Sequence, residues 1–423
     1  MDETNLHPAY PKLVERLNRL PQGAPPSESL YDILKILFSP REAELVAQLP
    51  IKPFNADQAA RNWKMPLLEA RNILDNLASR AILLDYEQPD GSMSYVLPPP
   101  MAGFFEFSMM RVRDDIDQQT LAEKYYQYCT VEPEFMQHLF DHQTQMGRVY
   151  VNEPLMPDVE VLDYERASEV IRTSTQRGIT LCYCRRKTQA VGRACSAPLD
   201  ICMTFNGPAE ALIRHGHARS VEVPEMLDHL QRAYDNNLVQ FGENVRHGVS
   251  FICNCCGCCC EALVGARRFS NLRPINSSAF LPVVDETLCN GCGKCVQACP
   301  MEAMALVSTN DPQQARRMRA KLEEEVCLGC GVCVRSCSRG GLKLEQRKSR
   351  VVTPYNTTHR IVMMAVEKGT LQDLIFDNRV LWSQRALAAL LGSILRLPPL
   401  KQALASQQVK SRYLETLVRK MGM

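Results

Sequence analysis

The stretch Cys289-Asn290-Gly291-Cys292-Gly293-Lys294-Cys295-Val296-Gln297-Ala298-Cys299-Pro300 has the cysteine spacing C-x2-C-x2-C-x3-C-P. A second stretch repeats the same three intervals, with Ser338 in the place of the proline. This spacing is typical of thiolates that hold [4Fe-4S] clusters, so the repeat predicts two cluster sites. The cysteines of the second stretch are Cys327, Cys330, Cys333 and Cys337.

The cysteine content of the whole chain also favours metal binding over disulfides. The 423 residues include 19 cysteines, which would suggest a disulfide scaffold only in a small secreted protein. Several of them are adjacent, such as Cys255 and Cys256, and neighbouring cysteines cannot easily pair with each other. We therefore expect metal-thiolate chemistry in a reducing compartment.

Charge and hydropathy narrow the range of partners. The net charge of +2 gives no global electrostatic argument for binding nucleic acid or an anionic membrane surface. The first thirty residues lack the basic start and apolar centre of a signal peptide, so we expect a cytoplasmic protein. The apolar segment 381–397 is interrupted by Arg385 and Arg396, so we expect no transmembrane segment.

A second group of ten cysteines precedes the repeat, which is more than packing requires. Predicted helix 221–238 lies between its two halves and would bring them together. We expect one or two further iron-sulfur clusters here, with zinc at C-x-C or C-x2-C spacing as the alternative and a redox-active disulfide as a third. Arg185, Arg186 and Lys187 are candidates for offsetting thiolate charge, whereas Cys129 stands alone on an apolar helical face and is expected in the core. The ten cysteines are Cys182, Cys184, Cys195, Cys202, Cys253, Cys255, Cys256, Cys258, Cys259 and Cys260.

The N-terminal region predicts helices followed by a hairpin. Residues 1–28 are polar and proline-containing, which indicates a loosely ordered arm. In residues 29–111, Asn55 could cap a helix over 56–63, and Pro66 opens a longer helix. A hairpin follows around the turn at residues 89–92.

This element order resembles a winged-helix domain, and the resemblance implies either DNA binding or a structural or protein-docking role. Ten acidic and eight basic residues lie between Leu30 and Arg111. Because a DNA reader usually has a basic face, this balance favours docking.

The predicted fold class is a multidomain α+β protein. Residues 112–165 are expected to form a helical connector, 166–279 a helical cysteine-rich metal domain, 280–346 the two-cluster domain, and 347–423 a C-terminal helical segment. Within 280–346, the stretches 280–284 and 304–307 are expected to pair as strands, and residues 311–325 to form an inserted, charged helix.

The repeat resembles bacterial-type two-[4Fe-4S] ferredoxins over residues 280–346. In that family the fourth cysteine of each run serves the other run's cluster. The resemblance therefore implies two ligand sets: Cys289, Cys292, Cys295 with Cys337, and Cys327, Cys330, Cys333 with Cys299.

The larger chain resembles multidomain, cysteine-rich ferredoxin-type proteins of anaerobic bacteria. That resemblance rests on the C-x-C-R segment at 182–185, the segment Cys253-Asn254-Cys255-Cys256-Gly257-Cys258-Cys259-Cys260, and the terminal repeat. It implies electron transfer and names no substrate.

Electron transfer is the first functional hypothesis, with a redox protein or oxidoreductase subunits as partners. No nucleotide-binding motif occurs, and no catalytic residue is assigned. Two alternatives stay open. One is a redox-sensing regulator that binds DNA through residues 29–111, and the other is a reductase that acts at the upstream cysteine-rich cluster.

Overall fold

A computed structural model describes residues 6–141, 143–151, 153–155, 161–268, 275–309, 318–348, 353–377, 383 and 385–389. These residues contain both helices and sheets, as expected for an α+β protein. Within them, no helix has the length and hydropathy needed to cross a membrane.

The N-terminal part is helical with a small three-stranded sheet. Its strands pair antiparallel in the order β1-β3-β2, so the two-residue strand β1 extends the β2-β3 hairpin. The elements are α1 (Ala9–Asn18), α2 (Glu28–Leu37), α3 (Pro40–Ala47), β1 (Phe54–Asn55), α4 (Ala56–Trp63), α5 (Leu67–Ser79), β2 (Leu84–Glu87) and β3 (Met93–Val96).

Local capping explains where α3 and α4 begin. The side chain of Ser39 accepts a hydrogen bond from the backbone N–H of Glu42, and the Glu42 carboxylate accepts one from the backbone N–H of Ser39. Asn55 and Gln58 form the same reciprocal pair at the start of α4. Such capping boxes satisfy backbone donors that a helix leaves free, so the cap predicted at Asn55 is confirmed.

The expected loosely ordered arm was wrong for residues 9–18, which form α1. Leu13 and Leu17 are fully buried, and Arg16 donates hydrogen bonds to the carbonyl oxygens of Leu49 and Pro50. The apolar residues of α1 recur at helical spacing, and this periodicity outweighs the prolines that flank the helix.

Three further helices extend this helical core. They are α6 (Phe105–Phe107), α7 (Gln118–Tyr126) and α8 (Pro133–Phe140), with a π-helical turn at Gln127–Val131 between the last two. Phe105, Tyr125, Tyr128 and Phe135 contact one another within the same core as α1 to α5. Residues 105–140 therefore pack with the N-terminal helices.

A seven-stranded sheet forms the centre of the chain, in the order β10-β4-β8-β9-β6-β5-β7. All neighbouring strands are antiparallel except β10 and β4. The strands are β4 (Gly147–Val149), β5 (Arg177–Leu181), β6 (Asp200–Phe205), β7 (Arg219–Ser220), β8 (Val239–Glu243), β9 (Phe251–Cys255) and β10 (Ile275–Asn276).

This sheet corrects two expectations. The cysteine-rich region was expected to be helical, but its described residues combine five helices with strands of the sheet. The expected helical connector also ends in β4, which pairs with β8 and belongs to the sheet. The helices around the sheet are α9 (Ala167–Thr173), α10 (Tyr183–Ala190), α11 (Asn206–Arg214), α12 (Val223–Asp235) and α13 (Glu261–Arg268).

The cysteine-repeat region consists of two strand pairs and two short helices. Its β11 pairs with β14, and β12 pairs with β13, so the expected pairing of 280–284 with 304–307 was wrong. The expected inserted helix was also wrong over Met318–Leu322, which is a strand; the segment 310–317 lies outside the described residues. The elements are β11 (Phe280–Val284), α14 (Lys294–Ala298), β12 (Met304–Ser308), β13 (Met318–Leu322), α15 (Val332–Arg335) and β14 (Leu342–Gln346).

The C-terminal helices α16 (Thr357–Lys368) and α17 (Leu371–Ile375) pack on the rest of the chain. Arg360 of α16 donates a 2.9 Å hydrogen bond to Glu243 of β8, and Lys368 donates one to the carbonyl oxygen of His138. Most of the segment 381–397 lies outside the described residues.

Because α1 belongs to the core, shortening one of its buried side chains should destabilise the protein. We expect Leu13→Ala to lower the free energy of unfolding by about 2–5 kcal/mol, because it leaves a cavity at a fully buried site. Chemical denaturation of the full chain measures this, with Glu15→Ala on the exposed face of α1 as the control. Equal midpoints for the two variants would contradict a core position for α1.

Candidate iron-sulfur centres

The two cysteine runs of the repeat have equivalent local structures. Each short helix, α14 and α15, follows a glycine in the left-handed region, Gly293 at φ 76° and Gly331 at φ 81°. Each helix carries the third cysteine of its run, Cys295 or Cys333. The sequence repeat is thus a structural repeat.

Close backbone packing requires glycine at a second pair of equivalent positions. Gly291 and Gly329 both have positive φ, which L side chains rarely adopt. A Cβ atom on Gly291 would overlap the carbonyl oxygen of Met318, and one on Gly329 would overlap that of Phe280. Each cysteine run is therefore held directly against a strand of the other half of the domain.

Backbone N–H groups donate to several cysteine sulfurs. Ala303 donates to Cys299 at 3.3 Å, and Ala320 donates to Cys289 at 3.4 Å. Gly329 donates to Cys327 at 3.3 Å. Such hydrogen bonds stabilise thiolate charge and tune the potential of a bound cluster. They are therefore consistent with these cysteines acting as cluster ligands.

One small cavity is lined by the first implied ligand set. Its lining includes Cys289, Cys292, Cys295 and Cys337, so the fourth cysteine of the second run lies with the first three of the first run. Cys292 is exposed, which places this cavity at the surface.

The second implied set is more deeply buried. Cys299 packs in one apolar cluster with Cys327 and Cys330. Burial raises the pKa of the Cys330 thiol to about 12 and also raises the pKa of Cys333 well above its usual value. A buried thiolate needs a nearby positive charge, and a bound metal centre supplies one. Both sets of thiols therefore fit [4Fe-4S] ligation.

The upstream cysteines meet at one end of the seven-stranded sheet. Because β5, β6 and β9 are antiparallel neighbours, the end of β5, the start of β6 and the end of β9 lie together. Cys182 directly follows β5, Cys202 lies near the start of β6, and Cys255 is the last residue of β9. The predicted helix is present as α12, but sheet pairing is what aligns these cysteines.

Six of the ten upstream thiols form a closed ring in which every sulfur contacts two others. Four of the six side chains are buried. We call this arrangement the six-thiol ring. In order around the ring, its members are Cys182, Cys184, Cys260, Cys255, Cys253 and Cys202.

Two ring thiols favour the thiolate form. Contacts with Cys202 and Cys255 lower the pKa of Cys253 to about 6. Contacts with Cys184 and Cys255, together with N–H groups at the start of α13, lower the pKa of Cys260. Since the thiolate is the metal ligand, this part of the ring is prepared for metal binding.

The other four upstream thiols form a separate, compact group. The Sγ atoms of Cys195 and Cys256 are 3.6 Å apart, as are those of Cys258 and Cys259, and Cys259 lies 3.8 Å from Cys195. All four sulfurs lie within 4.8 Å of one another. We call this arrangement the four-thiol group.

Arg185 lies close to both thiol arrangements. Its side chain is 1% exposed and donates 2.9 Å hydrogen bonds to the carbonyl oxygens of Pro198 and Asn254. Burial opposes its charge, but the thiols of Cys182 and Cys256 help to raise the pKa of the guanidinium above its ordinary value. Arg185 is therefore a permanent cation that offsets thiolate charge in both arrangements.

A buried ion pair borders the six-thiol ring. Lys187 contacts Glu261, which directly follows Cys260, and both side chains are at most 2% exposed. The sequence indicated Lys187 as a basic neighbour but contained no signal for its partner, which lies 74 residues away. The third predicted basic residue, Arg186, donates instead to the carbonyl oxygens of Met109 and Arg111.

Cys129 belongs to neither arrangement. It is 2% exposed within the N-terminal helical core, and its sulfur lies 4.0 Å from the hydroxyl of Tyr183. The prediction that Cys129 is a core residue is confirmed.

Comparison with known proteins identifies one region. Residues 288–340 match the family described as the 4Fe-4S dicluster domain. The chain therefore contains a ferredoxin-type iron-sulfur domain, which spans the cysteine repeat. No curated protein and no solved structure matched the chain.

Substitution of Gly329 should disturb this domain more than substitution of Gly340. Both glycines have positive φ, so alanine costs about 1–2 kcal/mol at either position. A Cβ on Gly329 also overlaps backbone and the Ser278 hydroxyl, whereas one on Gly340 meets nothing within 4 Å. We expect Gly329→Ala, but not Gly340→Ala, to lower bound iron and sulfide measured after anaerobic purification. Equal metal content in the two variants would contradict the close-packing argument.

Proposed function

We propose that this protein transfers electrons between a redox partner and an upstream iron-sulfur centre at the six-thiol ring, with the dicluster domain as the relay. Bound [4Fe-4S] clusters supply one-electron chemistry whose potential depends on their surroundings. The ligands we assign are those implied by the ferredoxin resemblance: Cys289, Cys292, Cys295 and Cys337 for one cluster, and Cys299, Cys327, Cys330 and Cys333 for the other.

The observation that carries this proposal is a shared apolar core. Cys255 and Cys260 of the six-thiol ring pack in the same cluster as Met301, Ala303 and Leu328 of the dicluster domain. Cys299, Cys327 and Cys330 pack against that cluster. The second ligand set and the six-thiol ring are therefore neighbours that share one apolar core.

Backbone packing supports the same adjacency. A Cβ on Gly257 would overlap the carbonyl oxygen of Pro300, the residue after Cys299. Arg267 of α13 donates a 2.6 Å hydrogen bond to the carbonyl oxygen of Gly257 and pairs with Glu302. These contacts fix the upstream loop against the dicluster domain.

The first ligand set provides the side that faces a partner. Cys292 is exposed, and Lys294 and Arg339 line the same cavity and are also exposed. Positive charge next to an exposed cluster would steer a partner that carries carboxylates near its own redox centre. We therefore assign electron exchange with a redox protein or an oxidoreductase subunit to this surface.

The N-terminal region is proposed as a winged-helix-like docking domain. Its hairpin already contacts the end of α11, because Asp85 of β2 lies 2.9 Å from His215 and 3.1 Å from Arg214. The helix α5, which would contact DNA, exposes Leu67 and Leu68 in its first turn. An apolar surface of this kind suits contact with protein better than contact with phosphate.

Metal content tests the electron-transfer proposal. Two cubane clusters account for about eight irons, so we expect the anaerobically purified protein to contain more than eight, with matching sulfide. Cys255→Ala should reduce the excess above eight and leave the EPR signals of the reduced dicluster domain in place. Cys129→Ala, at a buried thiol outside both arrangements, is the matched control and should leave the count unchanged.

Two results would contradict the proposal in different ways. A wild-type count of about eight would exclude an upstream iron-sulfur centre while keeping the dicluster domain. Absence of sulfide-bound iron, or failure of the bound iron to undergo reversible reduction, would exclude electron transfer altogether.

DNA binding is the competing role for residues 29–111, and a gel-shift salt series separates the two roles. We expect no specific duplex band at low salt with either the metal-loaded or the metal-free protein, because α5 lacks a basic face. A specific band that weakens with salt and changes on cluster oxidation would instead establish a regulator.

A further inference from the structure

We propose that the four-thiol group, Cys195, Cys256, Cys258 and Cys259, binds a single zinc ion and no iron-sulfur cluster. The upstream cysteines would then serve two different metal centres, with iron and sulfide at the six-thiol ring and zinc beside it. This goes beyond the electron-transfer proposal, since it assigns a second metal to the same domain.

The spacing of the sulfur atoms carries the inference. Four thiolates around one zinc ion at a Zn–S distance of about 2.3 Å lie about 3.8 Å apart at tetrahedral angles. Three sulfur pairs of the four-thiol group lie 3.6–3.8 Å apart, and no pair exceeds 4.8 Å. The ligands of a cubane cluster must lie farther apart, because the whole iron-sulfur core stands between them.

The dicluster domain provides an internal comparison. None of its eight cysteines, all of them among the described residues, belongs to a set of three metal-binding side chains with ligand atoms within 4.8 Å. The chain therefore spaces the thiols widely where the matched family binds [4Fe-4S] clusters. The four-thiol group differs from those sites in the property that distinguishes a single ion from a cluster.

The six-thiol ring also differs from the four-thiol group, because adjacent ring sulfurs lie close together but alternate members of the ring are more widely separated. Each ring sulfur contacts two neighbours, yet no three ring sulfurs all lie within 4.8 Å of one another. No three ring sulfurs are therefore close enough together to bind the same single ion, whereas all four sulfurs of the four-thiol group are. Only the four-thiol group therefore suits a single tetrahedral ion.

The surroundings of the four-thiol group suit a structural zinc ion. Four thiolates around Zn²⁺ leave no ligand position open and carry a net negative charge, which the nearby cation Arg185 partly offsets. Cys195 lies in the loop after α10, and the other three cysteines lie in the loop between β9 and α13. A zinc ion would therefore join two loops that are otherwise distant in sequence.

This junction would hold the loop that contacts the dicluster domain. Gly257, between two of the proposed ligands, packs directly on Pro300. Cys255 and Cys260 of the six-thiol ring flank the same loop. Zinc binding would thus position ring ligands on one side and the dicluster contact on the other.

Elemental analysis and X-ray absorption of the full-length protein test the inference. After anaerobic purification from medium that contains both iron and zinc, we expect about one zinc per chain. The zinc-edge spectrum should show four sulfur ligands at about 2.3 Å without a metal neighbour. Because this measurement uses the wild-type protein, it does not depend on the folding of a variant.

A pair of variants at exposed cysteines separates the two metals. We expect Cys258→Ser to reduce zinc at least tenfold while iron and sulfide stay at the wild-type level. Cys292→Ser, at the exposed cysteine of the dicluster domain, should lower iron and sulfide and leave zinc unchanged.

Loss of about four irons and matching sulfide from Cys258→Ser would overturn the inference in favour of a third cubane. Absence of zinc from the wild-type protein, with about one iron per chain in excess of the sulfide, would overturn the choice of metal. Neither result bears on cluster binding by the dicluster domain, which the Cys292→Ser iron count tests separately.

Discussion

The cost of burying thiolate charge is the constraint on which this structure depends. Eighteen of the 19 cysteines belong to the six-thiol ring, the four-thiol group or the two implied ligand sets of the repeat, and burial raises the pKa of thiols such as Cys330 and Cys333, which opposes their ionisation. Metal centres remove this cost, because bound metal ions offset the negative charge of the thiolates that ligate them. Arg185, with its carbonyl partners, adds a cation that does not depend on metal. The sheet and the dicluster domain can then be understood as two supports that hold these groups side by side.

The sequence predicted the dicluster domain well because its signal is local. Four cysteines at fixed intervals specify one turn and one short helix, and the repeat specifies a second copy. The pairing of β11 was missed because it is not local: β11 pairs with β14, whose residues lie about 60 positions later, beyond both cysteine runs. Composition also misled for α1, where flanking prolines concealed a helix whose leucines are fully buried.

The upstream region shows a stricter limit of sequence analysis. Cys255 and Cys256 are adjacent, as are Cys259 and Cys260, yet in each pair one thiol enters the six-thiol ring and the other enters the four-thiol group. Spacing motifs treat such neighbours as one ligand run, so they could not divide the ten cysteines. For Cys255 and Cys256 the division depends on side-chain direction at the end of β9, and that direction is set by pairing with β8 and β6.

The 61-residue separation between Cys195 and Cys256 has a consequence for biosynthesis. A loop of that length closes at an entropic cost, and the pairing of β6, β8 and β9 brings its ends together in the folded structure. The ribosome must therefore release the chain past residue 260 before either upstream arrangement exists. Each run of the dicluster domain, in contrast, places three thiols within seven consecutive residues. Assembly of the upstream thiol arrangements is thus coupled to tertiary folding of the sheet.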